Sequence, residues 1–132
     1  MQPIAIEEMT PMVPVSDISR SAEFYRLMLG LNVQTRSEGI VLLRRDSMSL
    51  YLVAESPPTV DKPGVTIGLS VSPERTPINL TFRVPDVEDA YRRLAARGIT
   101  FLAPPERKDW GEIRVFTRDP DGYLIELYQP TA

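Results

Sequence analysis

The sequence predicts an α+β fold, two tandem βαβββ modules whose curved mixed sheets surround a cavity. Three observations predict it. The segments Val15-Ser16-Asp17-Ile18 and Val84-Pro85-Asp86-Val87 recur about half the chain apart. Each opens an apolar stripe at helical spacing that ends at a glycine, Gly30 or Gly98, and each stripe is followed by three short extended runs. A sheet that carries its helix on one face must bury or use the other, and two such sheets of equal shape can close around a shared cavity.

In the first module, residues 8–55, the leading strand turns Val13 and Val15 toward the helix and Thr10 and Met12 to the opposite wall, because strand side chains alternate. Ile18, Ala22, Tyr25, Met28 and Leu29 then recur at spacings of three and four, with Asp17 or Ser19 as N-cap and Gly30 as the stop. Residues 31–35, 40–44 and 48–54 read as strands broken by the hairpin turns Ser37-Glu38-Gly39 and Arg45-Asp46-Ser47. Leu50 and Leu52 face the helix, and Ser49 and Tyr51 join Thr10 and Met12 on the other wall, to which Asn79 of the second module is also assigned.

Residues 56–77 contain Pro57, Pro58, Pro63, Pro73 and Pro77, five of the 13 prolines, and read as a linker with room for an extra edge strand over the apolar run 65–71. The second module, residues 78–130, opens with Ile78, Leu80, Phe82 and Val84 alternating with Asn79, Thr81 and Arg83. Val87, Ala90, Leu94 and Ala95 form its helical stripe after Asp86. Strands follow over 99–102, 113–117 and 123–129. The last two are joined by Asp119-Pro120-Asp121-Gly122, with proline preset for position i+1 of a turn and glycine free to take positive φ. Arg20, Arg26, Arg92, Arg93 and Arg97 face water. With 132 residues, the whole chain is expected to form a single domain.

Composition removes several functions. A hydrophobic fraction of 42%, a charged fraction of 25% and a net charge of -3 give no electrostatic reason for a polyanionic partner, so nucleic acid is not expected. No apolar stretch approaches the roughly 18 residues that span a bilayer, and the amino terminus has no basic segment leading into a long apolar one, which predicts a cytoplasmic protein with no membrane partner. The absence of cysteine excludes disulfides, thiolate nucleophiles and zinc-cysteine sites. The absence of histidine removes the commonest general base and the commonest transition-metal ligand together.

The repeat, the two helix starts, the run Ser21-Ala22-Glu23-Phe24-Tyr25 leading to Leu29-Gly30-Leu31, and the ending Trp110-Gly111 with Arg118-Asp119-Pro120-Asp121-Gly122-Tyr123-Leu124-Ile125-Glu126-Leu127 together resemble the vicinal oxygen chelate superfamily. That superfamily holds glyoxalase I, extradiol dioxygenases, and the fosfomycin and bleomycin resistance proteins. The resemblance covers nearly the whole chain. It implies the glyoxalase/bleomycin resistance fold, and in metal-binding members it implies a ligand on the first and last strand of each half. Carried over residue by residue, those positions are Thr10, Tyr51, Asn79 and Glu126, of which only Glu126 is a usual ligand. One carboxylate among hydroxyl, phenol and amide groups offers borderline ions neither a nitrogen nor a sulfur donor, so no metal and no cofactor is expected. What remains resembles the metal-free branch, whose members bind a drug stoichiometrically and are usually homodimers.

The expected ligand-binding residues are Thr10, Met12, Tyr51, Asn79, Trp110 and Glu126. Trp110, the only tryptophan, follows the polar stretch Glu106-Arg107-Lys108-Asp109 and either stacks on a ligand or caps the core or a dimer interface. Glu126 either contacts the ligand or is a structural carboxylate paired with Arg83 or Arg114. The function expected is sequestration of an aromatic or apolar natural product, an antibiotic above all, without catalytic residues. The alternative is a metal-independent isomerase, lyase or cyclisation enzyme using Glu126 or Tyr51 as acid/base. A third is a dimeric interaction module with a vestigial pocket.

Overall fold

The computed structural model describes residues 2–131. The elements run β1 (Met12–Pro14), α1 (Ile18–Leu29), β2 (Asn32–Ser37), β3 (Ile40–Arg45), β4 (Met48–Val53), β5 (Asn79–Arg83), α2 (Val87–Ala96), β6 (Glu106–Lys108), β7 (Glu112–Arg118) and β8 (Leu124–Pro130). The backbone divides into two compact units, Met1–Leu69 and Ser70–Ala132. The terminal residues Met1 and Ala132, which the single-domain expectation includes, lie outside the described residues.

In the first unit one four-stranded sheet has the order β1-β4-β3-β2. β1 pairs with β4 in parallel, Met12 opposite Tyr51 and Val13 opposite Leu52, and the other two pairings are antiparallel. Asp17 caps α1 through its side chain, which accepts from the Arg20 amide at 3.0 Å. Gly30 ends the helix at φ 69, a left-handed conformation that costs an L side chain energy and glycine little. Helix spacing brings Ser21, Ala22 and Tyr25 onto the sheet, where they are buried with Val13, Val15, Val41, Leu43, Leu50 and Leu52. Ile18, Met28 and Leu29 of the expected stripe are half-buried, at its margins. β2 is exposed along its length and carries a bulge between Val33 and Thr35, a common way to blunt an edge strand.

The second unit repeats the plan, with sheet order β5-β8-β7-β6, a parallel β5–β8 pair and antiparallel partners beyond it. Asp86 caps α2 in nearly the backbone conformation of Asp17, φ -148 and ψ 103 against φ -144 and ψ 102, and accepts from the Asp89 amide at 3.0 Å. Leu80, Val87, Leu94, Val115, Ile125 and Leu127 form the core, and the Gln129 side chain accepts from the Val87 amide at 2.7 Å. Odd-numbered residues of β8 therefore face α2. The Asp119-Pro120-Asp121-Gly122 turn closes on the Asp119 carboxylate, which accepts from the amides of Asp121 and Tyr123, both at 2.9 Å. This is a structural role, as its turn sequence implies.

Two expectations are corrected. Residues 99–102 do not form a strand. They contribute one isolated bridge, Phe101 to Thr117, and the third paired strand is β6, inside the stretch read as merely polar. Pro104 and Pro105 have no amide to continue a ladder begun at Phe101, and an edge strand as short as β6 has no buried face to impose an apolar alternation. Likewise residues 65–71 form no edge strand. Residues 54–78 hold only isolated bridges such as Ser56 to Ile67. Part of this segment is instead organised by Lys62, whose ammonium donates to the carbonyls of Ser56, Pro57 and Val65 at 3.3, 2.7 and 3.0 Å. No helix among the described residues is long and apolar enough to cross a membrane.

Candidate functional site

The helix-free face of the first sheet follows from its register. Met12, Tyr51 and Leu42 lie side by side on β1, β4 and β3, and Ser49 and Arg44 form the next row. Just before β1, Thr10 places its hydroxyl 3.0 Å from the Ser49 hydroxyl. Thr10, Met12 and Tyr51, expected on one wall, therefore share this face. Met12 is 42% exposed, too open to be core filler within this unit. The row that holds Ser49 is charged. Glu8 Oε1 receives the Arg44 Nη2 group and lies 3.3 and 3.4 Å from the Ser49 and Thr10 hydroxyls. Those contacts, the Arg44 hydrogen bond and charge first, hold the Glu8 carboxyl below its ordinary range.

In the second sheet the helix-free face carries the even residues of β7 and β8 and the odd residues of β5, so Thr81, Glu126 and Phe116 form one row. Glu126 is 7% exposed, and the Asn79 amide donates to its Oε1 at 2.9 Å. Among the described residues, Asn79 rather than Arg83 or Arg114 supplies the partner. Arg114 instead sits between two rings, its guanidinium carbon 5.0 Å from the Phe116 centroid and 5.1 Å from that of Trp110, with Glu112 at 3.8 Å. Trp110 rides the three-residue turn from β6 to β7, where Gly111 takes φ 104 and donates to the Lys108 carbonyl at 3.2 Å. Its ring is 63% exposed, so within this unit it does not cap the core, and Lys108 Nζ approaches it at 5.4 Å.

Beside Arg114 and Phe116 lies a small cavity of about 90 Å³, bounded also by Leu102, Pro104 and Lys108. A wider cleft of about 370 Å³ is lined by Ile99, Phe101, Leu102 and Arg118 and contains none of the expected residues. Arg118 is committed there to the carbonyls of Gly122 and Pro73, at 3.1 and 2.8 Å.

Of the six expected residues, Thr10, Met12 and Tyr51 belong to the first unit and Asn79, Trp110 and Glu126 to the second, where Asn79 and Glu126 are bonded directly. Sequence reasoning missed Glu8, Arg44, Thr81 and Phe116, and assigned Arg114 only as a partner for Glu126. The alternation of Glu112, Arg114, Phe116 and Arg118 along β7 is the signal that places Phe116 beside Arg114. These donors do not suit a transition metal. The Glu126 oxygen is met by an amide N–H, the Thr10 hydroxyl is bonded to Ser49, and a chain without histidine or cysteine offers neither an imidazole nor a thiolate.

The family model for the glyoxalase/bleomycin resistance protein/dioxygenase superfamily matches residues 8–127. The chain belongs to that superfamily. Its tandem modules are thus the glyoxalase/bleomycin resistance fold. The structure of a superfamily protein from Nocardioides aligns with 98% of this chain and 87% of its own at a TM-score of 0.76 and 23% identity, a likeness of fold. A bleomycin-binding protein solved in complex with bleomycin aligns with 94% of this chain and 98% of its own at a TM-score of 0.66 and 27% identity. The uncharacterized protein YraH of Bacillus subtilis (strain 168) is 29% identical over 131 residues, 87% of this chain and 91% of YraH.

Proposed function

We propose that this superfamily member acts as one domain that binds an aromatic or apolar natural product and sequesters it unchanged, as the metal-free drug-binding branch does. The observation that carries the reading is Trp110, an indole left 63% exposed against a guanidinium that itself stacks on Phe116. Such a ring-cation-ring arrangement offers a planar ligand a stacking surface with little ordering left to do. Within the same unit Asn79 and Glu126 add polar contacts, and in the first unit, taken by itself, Thr10, Met12 and Tyr51 are the ligand-binding residues. The bleomycin-binding relative supports the reading, since its solved structure holds a drug. The working form is a homodimer, checked by sedimentation of the purified chain, in the cytoplasm, checked by fractionation of cells that express it.

Titration of Trp110 fluorescence with a panel of aromatic antibiotics, with and without divalent metal, tests this. Saturable quenching that ignores metal, with the compound recovered at unchanged mass, is the expected result. Binding no tighter than about millimolar across the panel removes the reading.

Burial of the Glu126 carboxyl group favours a second reading, a metal-independent isomerase, lyase or cyclisation enzyme. A changed mass of the recovered compound, abolished in Glu126→Gln, would select it.

A further inference from the structure

Arg44 uses only part of its guanidinium. Its Nη2 group meets Glu8, while Nε is buried and has no hydrogen-bond partner. Nε and Nη2 point the same way along one edge of the guanidinium, the edge that a carboxylate ordinarily fills with two parallel hydrogen bonds. Glu8 fills half of it. It brings a single oxygen, Oε1, which the hydroxyls of Ser49 and Thr10 also approach, at 3.3 and 3.4 Å. A buried donor left unpaired is costly, so a second oxygen at Nε has a free-energy advantage over the arrangement present.

The donors and the acceptor are held differently. Arg44 and Ser49 face each other in the β3–β4 ladder, so the sheet fixes their backbones. Glu8 belongs to a segment with neither helix nor strand, whose first backbone hydrogen bond among the described residues is made by Pro11, to the Tyr51 amide at 2.9 Å. Its carboxylate is placed by side-chain contacts alone, and its release is a local event. The next row of the same face is Met12, Tyr51 and Leu42, about 7 Å along the strands. A carboxylate seated in the first row therefore leaves the fused rings of an aromatic acid extending toward the second.

We infer that Arg44, Ser49 and Thr10 form a subsite for a ligand carboxylate, and that Glu8 is the chain's own carboxylate seated in it until the ligand displaces it. The ligand class is an aromatic or apolar acid whose ring lies over Met12 and Tyr51. This rests on the reading of that face as a binding face.

The test uses the full chain labelled with nitrogen-15, following the Arg44 Nε–H resonance and Trp110 fluorescence while adding 2-naphthoate or its uncharged analogue 2-naphthamide. Arg44→Lys identifies the resonance by removing it. The expected result is a saturable downfield shift with naphthoate and none with naphthamide, with affinity for naphthoate about tenfold higher in Glu8→Gln and lost in Arg44→Lys. The subsite is overturned if the resonance ignores naphthoate in both the parent and Glu8→Gln chains, or if naphthamide gains as much from Glu8→Gln as naphthoate does. Quenching of Trp110 by both compounds without an Arg44 response leaves the aromatic-ligand reading standing and removes the subsite. An Arg44 response without quenching does the reverse.

Discussion

Asn79 and Glu126 are joined by a 2.9 Å hydrogen bond that ties the first strand of the second unit to its last, on the face away from α2. The bond satisfies a carboxyl group that is 7% exposed. Asn79→Ala removes the donor and leaves that group buried with its partner gone, which should cost about 1–3 kcal/mol in urea denaturation. Glu126→Gln still offers Asn79 a carbonyl oxygen and should cost less than half as much. Equal stability of Asn79→Ala and the parent chain would mean that the bond contributes nothing.

Trp110 separates binding from folding. Because its ring is 63% exposed and meets Arg114 and Lys108 from outside the core, Trp110→Ala should leave the unfolding free energy within about 0.5 kcal/mol. The same change should weaken an aromatic ligand by about 1 kcal/mol, several-fold in Kd by calorimetry. A large loss of stability with unchanged affinity would assign the residue to the fold instead.

Gly30 is where α1 ends at φ 69, and a Cβ there would stand 2.8 Å from Arg45 Nη1. That Nη1 donates to the Leu29 carbonyl at 3.1 Å, satisfying one of the free carbonyls at the helix end. Gly30→Ala combines backbone strain with displacement of Arg45 and should destabilise by about 1–2 kcal/mol, read as a lower thermal midpoint. Gly98→Ala meets the same backbone restriction at φ 94 but has nothing within 4 Å of its Cβ, so it should cost less.

Tyr123 is buried after the Asp119 turn, and burial first, then the charges of Asp119 and Asp121, push its hydroxyl up to about 12 from 10.0. A raised pKa means that the folded state keeps its proton longer than the unfolded chain. The associated stability is whole below pH 10 and is lost as pH rises toward 12. Tyr123→Phe should therefore show a flatter loss of stability over that alkaline interval, measured by denaturation at fixed ionic strength. An unchanged slope would place the alkaline transition elsewhere.

Much of the fold was legible because its signals are local. Asp17 and Asp86 cap their helices through bonds to amides three residues on, and Gly30 takes the backbone conformation that its residue type permits. The alternation that set Val13 and Leu52 against Met12 and Tyr51 reappears in the register, because strand side chains have a period of two wherever the strand is placed. β6 escaped since it is a three-residue edge strand whose pairing with β7 is a long-range choice. Residues 65–71 misled for the opposite reason, an apolar run with no strand to pair with.

The sequence by itself determined the repeated plan, the two helix starts, the tight turns and the exclusion of histidine and cysteine chemistry, because residue type and spacing within a few positions decide each of these. Only the tertiary structure decided that Glu126 bonds Asn79, that Arg114 lies between Trp110 and Phe116, and that Glu8 comes to rest on Arg44, 36 residues away along the chain. Such pairings depend on which strands become neighbours and in what register, and no local pattern along one strand specifies its partner.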